Sequence, residues 1–103
     1  MKIELFEWDE QKNLSNRERH GIAFEEAKEV FYGLVFTSED ARRSYGEVRF
    51  ISIGSIQSHV VIVIAHTSRN QKIRIISARK ANKEERKIYY GYIKEAIKRN
   101  SGH

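Results

Sequence analysis

An α+β fold is predicted by three features of this sequence. Two helical segments, each followed by a glycine, fill the N-terminal third. Three strand-like runs follow at hairpin spacing, and a final amphipathic helix opens on a capping-box pattern. The expected architecture is an N-terminal strand and two helices, an antiparallel β-sheet meander and a C-terminal helix, in one domain over residues 1–103.

Ile3, Leu5 and Phe6 alternate with Lys2, Glu4 and Glu7, which reads as a short strand. Asp9 is placed to cap a helix running to about His20, with Lys12, Asn13, Asn16, Arg17 and Arg19 on its polar sides and Gly21 as its stop. Phe24, Ala27, Val30 and Phe31 fall three and four apart, giving a second helix over roughly 24–32 that ends at Gly33. Leu34 to Thr37 read as an edge strand. In the next run Val48, Phe50 and Ser52 share a face.

Residues 60–65 are apolar on both faces and should form a central strand. Residues 72–78 alternate at their start, so Lys72 and Arg74 point away from Ile73 and Ile75. The links at 54–58 and 67–71 are of hairpin length. Asn82 and Glu85 then form a capping box, and Ile88, Tyr92, Ile93, Ala96 and Ile97 keep helical spacing to about Arg99.

The chain has 103 residues, 40% hydrophobic and 32% charged, which suits one ordered domain. With no cysteine, a disulfide framework, a thiolate metal site and a cysteine nucleophile are all excluded. No run approaches the ~18 apolar residues of a membrane span, and the acidic, alternating N-terminus does not resemble a signal-peptide core. A soluble, cytoplasmic protein is expected.

The net charge is +5, unevenly spread. Residues 1–40 hold 5 Lys/Arg against 10 Asp/Glu, whereas residues 41–103 hold 14 against 4. That asymmetry sets a positive face beside a negative one, the electrostatic footprint of a phosphate-rich partner. A merely solvated basic surface is the plainer alternative.

No metal or cofactor motif is present. His20, His59, His66 and His103 lack ligand spacing, and there is neither a phosphate loop nor a nucleophile elbow. What remains is a set of cationic and polar groups at the ends of the sheet. RNA cleavage without a metal requires a base for the ribose 2′-OH, an acid for the leaving 5′-oxygen and cations for the phosphorane charge. Arg69 and Arg79 could hold phosphate through their planar forks, with Arg74 or Lys12 adding charge. His66, His20 or Glu85 could act as base, and Tyr89 as acid or stacker. Each has a plainer reading: His66 as a strand-end structural histidine, Arg69 as a solvated turn charge, Arg74 as the partner of an acid, Tyr89 as packing.

Taken as linear motifs, the sequence resembles the BrnT toxins of type II toxin–antitoxin systems. The resemblance runs through Phe6-Glu7-Trp8-Asp9 with Lys12, Asn13 and Asn16, and through His20-Gly21-Ile22-Ala23-Phe24-Glu25-Glu26-Ala27. It continues in Gly46-Glu47-Val48-Arg49-Phe50 with Ile53-Gly54, then His66-Thr67-Ser68-Arg69, and closes on residues 73–81 with Glu85 and Tyr89. Four such segments in order are specific, although residues 37–45 give a shorter and less acidic connection than the family's.

The resemblance implies a RelE-like fold and a ribonuclease that inhibits translation and growth. It also implies neutralisation by a BrnA-like ribbon-helix-helix antitoxin in a 2:2 heterotetramer that reaches operator DNA through the antitoxin. Carried over by position, His66, Arg69, Arg79, Glu85, Tyr89 and His20 are the catalytic candidates, with Lys12, Asn16, Arg74, Lys80 and Lys83 as RNA-binding candidates and no metal ligand. The rival expectation is a non-catalytic module that binds nucleic acid or protein through the same basic surface.

Overall fold

The computed structural model describes residues 5–40 and 46–101. The expected strand position at Ile3, the connection at 41–45 and His103 lie outside them. The elements run β1 (Phe6–Glu7), α1 (Glu10–His20), α2 (Phe24–Ala27), a 3₁₀ segment (Lys28–Tyr32), β2 (Val35–Glu39), β3 (Arg49–Ser55), a 3₁₀ turn (Gln57–His59), β4 (Val61–Arg69), β5 (Lys72–Lys80) and α3 (Lys83–Ser101). This is the expected α+β order.

The sheet order is β1-β5-β4-β3-β2. Strands β2 to β5 form the antiparallel meander, with β4 central as its doubly apolar sequence requires. β1 adds itself parallel to β5, pairing Phe6 with Ile73 and Glu7 with Arg74, so the sheet is mixed rather than wholly antiparallel. The β4–β5 hairpin closes through Asn70 and Gln71 alone, both left-handed (φ 53° and 66°), as a tight two-residue turn demands.

Each face of the sheet has its own cover. On the first, Ile62, Ile64, Ile75 and Ala78 pack against Ile22, Phe24, Ala27 and Val30. Val30 sits so close that a Cβ on Gly54 would overlap its Cγ1. On the second face Ile53, Val61 and Val63 meet Ala81, which precedes α3, and Tyr89 and Ile93 on α3 itself. α3 lies mainly over β2 and β3 and reaches β5 through Glu85 at the strand's exit, so most of the β5 side of this face is left open.

Helix α1 departs from its polar reading. Asp9 caps it, accepting from the amides of Gln11 and Lys12, and Gly21 ends it at φ 71°. Yet Asn13 and Asn16 are buried, whereas its one large apolar residue, Leu14, is 52% exposed. Asn13 Oδ1 accepts from the Phe24 amide, and its Nδ2 donates to Glu10 and Glu25. Asn16 Nδ2 donates to the carbonyls of Ile22 and Ala78, and its Oδ1 accepts from the Ala78 amide. The Asn16 amide thus stands where a neighbouring strand would pair with β5, beyond the short reach of β1.

Candidate nucleic-acid interface

Strand register assigns the cations to faces, because directly paired residues share a side of the sheet. Val63 pairs with Arg79, Ala65 with Ser77, Thr67 with Arg74 and with Arg49, and Arg69 with Lys72. Val63 belongs to the cluster under α3, so these residues all face the second side. A bulge between Ala65 and His66 leaves Ile76 of β5 opposite no partner, yet Arg74 and Arg79 stay on one face across it. The uncovered half of that face is therefore lined with cations.

Each arginine on this face lies against an acid. Arg79 makes a two-pronged pair with Glu85, Nη1 to Oε1 at 2.8 Å and Nη2 to Oε2 at 2.7 Å. Arg74 binds Glu7 at 2.8 Å. Arg49 and Arg69 flank Glu47 at 3.6 and 3.8 Å. Glu85 also closes the α3 cap, accepting from the Asn82 amide while Asn82 Oδ1 accepts from the Glu85 amide. The Arg79 guanidinium holds the Glu85 carboxyl below its usual pKa, with a smaller contribution from the Asn82 amide.

The sequence candidates separate into groups. Arg79, Glu85 and Lys83 gather where β5 leaves the sheet and α3 begins, with Lys80 at the same end but, paired with Ile62, on the first face. α1 runs in the same sense as β5, from the Glu7–Arg74 level to the Asn16–Ala78 level. One turn past Asn16, about 6 Å along the axis, exposed His20 lies toward that same end. Lys12, with Arg19, Ser15 and Ser77, lines a depression between α1 and β5. Arg69 sits at the far end of the hairpin, seven residues of β5 away from Arg79, or roughly 20 Å. The structure therefore does not bring Arg69 and Arg79 to one phosphate.

Three candidates are occupied inside the fold. His66 pairs with Phe50 on the first face, opposite the arginines, and is 7% exposed. Its Nε2 is 2.7 Å from Ser52 Oγ, Phe50 stacks on the ring and Phe31 meets it edge-on. Burial pushes its pKa down to about 4. Tyr89, 2% exposed, donates its hydroxyl to the Leu34 carbonyl at 2.8 Å and fastens α3 over β2. Asn16 is committed to β5, as described.

Arg49, Ser77 and Arg19 are polar members of this surface that spacing alone did not single out. The available signal was alternation in β3 and β5, which puts Arg49 and Ser77 on the side opposite Phe50 and Ala78. Among the described residues no cluster of His, Asp and Glu is placed to hold a metal ion. No helix among them is long and apolar enough to cross a membrane.

The crystal structure of the Brucella abortus ribonuclease toxin BrnT has a similar fold. The TM-score is 0.59 at 21% identity, over 80% of this chain and 100% of that one. A comparison with curated proteins gives no match. The family model for the BrnT ribonuclease toxins of type II toxin–antitoxin systems matches residues 8–85. That span runs from Trp8, at the entry to α1, through the whole cationic face to Glu85. It covers well over half of the 103 residues, and the chain belongs to the BrnT family of ribonuclease toxins.

Proposed function

We propose that this chain is a metal-independent endoribonuclease whose working centre lies at the exit of β5, around Arg79, Glu85 and His20. The observation that supports this most is the two-pronged Arg79–Glu85 pair on the uncovered, cation-lined face. The Arg79 guanidinium, 45% exposed and already binding a carboxylate with both prongs, has the geometry to take a phosphate with two free oxygens in that carboxylate's place. When a phosphate diester takes over the guanidinium, Glu85 loses the charge that acidifies it and regains proton affinity.

The chemistry then follows. Glu85 accepts the 2′-OH proton as that oxygen attacks phosphorus, and Arg79 stabilises the added negative charge. His20 gives a proton to the departing 5′-oxygen. The P–O5′ bond breaks, leaving a 2′,3′-cyclic phosphate on one fragment and a 5′-hydroxyl on the other. Lys12, Arg74, Lys80 and Lys83 attract the flanking backbone. His66, neutral at pH 7 and on the opposite face, supports the sheet in this reading.

A type II toxin has an antitoxin partner. A BrnA-like ribbon-helix-helix protein, in a 2:2 heterotetramer, is the partner proposed here, with operator DNA bound through it and the whole system cytoplasmic. Activity is tested by incubating purified protein with total RNA in EDTA beside the Arg79→Ala variant. Arg79→Ala is expected to lower cleavage at least 100-fold, about 2.7 kcal/mol, with fragments from the native protein ending in cyclic phosphate. Equal cleavage by the folded variant removes Arg79 from the centre. RNA left intact by both proteins, with and without translating ribosomes, favours a binding module instead.

A further inference from the structure

We infer that the depression between α1 and β5 is a separate phosphate subsite, formed by Lys12, Ser15 and Arg19 from the helix and Ser77 from the strand. Its cavity is about 230 Å³. Lys12, Ser15 and Arg19 follow spacings of three and four, which is one stripe of α1. Asn16 anchors that stripe to Ala78, fixing helix and strand at a set distance. The floor is Ile76, the residue that the bulge leaves without a partner across the sheet.

Charge separates this site from the arginines beside it. Arg74 and Arg79 each touch a carboxylate, whereas Lys12 and Arg19 have no ion pair among the described residues. Two cations and two hydroxyls around a concave space suit a tetrahedral dianion or a diester, which takes several donors at once. Ser77 and Arg79 share a face two residues apart, about 7 Å, so a nucleic-acid strand held at Arg79 continues over the depression. The identity of the polyanion as RNA rests on the ribonuclease reading; the phosphate chemistry does not.

The test has two arms. In the first, ¹⁵N-labelled protein is titrated with inorganic phosphate at constant ionic strength. The amides of Ser15, Arg19, Ile76 and Ser77 are expected to shift saturably, and the Lys12→Gln/Arg19→Gln variant, with an unchanged Tm, to lose that response. In the second arm, binding of a 2′-deoxy oligonucleotide, which offers no 2′-OH to attack, is followed against KCl. The double variant should bind roughly tenfold more weakly at 0.1 M and reduce the salt slope by about 1.4, since each neutralised phosphate on a single strand contributes about 0.7.

Phosphate that leaves these four amides unmoved, or moves them equally in the variant, overturns the subsite even if the chain cleaves RNA. Saturable phosphate binding in a chain that cleaves nothing supports the subsite and removes the ribonuclease reading. Poly-glutamate outcompeting phosphate at equal ionic strength assigns the depression to an acidic protein partner and overturns it.

Discussion

Asn16 satisfies three backbone groups with one side chain, two of them on Ala78 and one on Ile22. Removing it strands a buried amide and two carbonyls, each an expensive group to leave unpaired. Asn16→Ala should lower stability by about 2–4 kcal/mol, read as a shift in the urea midpoint, with loss of RNA cleavage only in proportion to unfolding. His66 gives a pH signature. In the folded protein it takes a proton only near pH 4, whereas in the unfolded chain a histidine does so near 6.5. Protonation therefore favours unfolding, and stability present above pH 6.5 drains as pH falls toward 4. The loss should be on the order of 2 kcal/mol and should flatten in His66→Gln. Glu25 and Glu85, whose pKa values are lowered, begin to lose their contributions only as pH falls through the ordinary carboxylate value of 4.5. The upper part of the histidine window therefore belongs to His66 alone among these three groups.

At the level of elements, Gly54 is set by the 3₁₀ segment above it rather than by its own backbone. Val30 presses against the position where a Cβ would stand. Gly54→Ala should destabilise by about 1–3 kcal/mol, measured as a lower Tm, and Val30→Ala in the same chain should restore part of it. The periodic elements were legible in the sequence because their apolar residues repeat at 3.6 or 2. The caps at Asp9 and Asn82 and the stop at Gly21 were legible for the same local reason. The buried face of helix α1 was not, because an asparagine such as Asn16 reads as solvent-facing when a partner lies 62 residues away. The second helix broke into a 3₁₀ segment after Ala27, where Val30, Phe31 and Tyr32 are weak helix formers and Val30 is held by the sheet. Nor could pattern alone show β1 running parallel to β5, since alternation carries no sense of direction.

Across the whole molecule, the cations divide between the two ends of one hairpin. Sequence proximity to strand ends made Arg69 and Arg79 equivalent, and only the register showed that β5 spans the gap between them. Arg69→Ala should weaken RNA binding at low salt while leaving the single-turnover cleavage rate within about threefold, because a distant cation acts through attraction rather than through the transition state. A rate loss as deep as that of Arg79→Ala would place the centre at the hairpin turn instead. The radius of gyration, 14.3 Å, exceeds the roughly 13 Å of a close-packed chain this long.

The way α1 is attached has a thermodynamic corollary. A helix held by amides rather than by greasy side chains detaches without wetting much hydrocarbon. Its opening then carries little heat capacity and a small denaturant m-value, unlike global unfolding. Such a segment can exchange its amide hydrogens through a local excursion that urea scarcely promotes, while β4 exchanges only when the entire molecule melts. The side of the proposed phosphate cradle that α1 contributes would then open more readily than the β5 side that it faces.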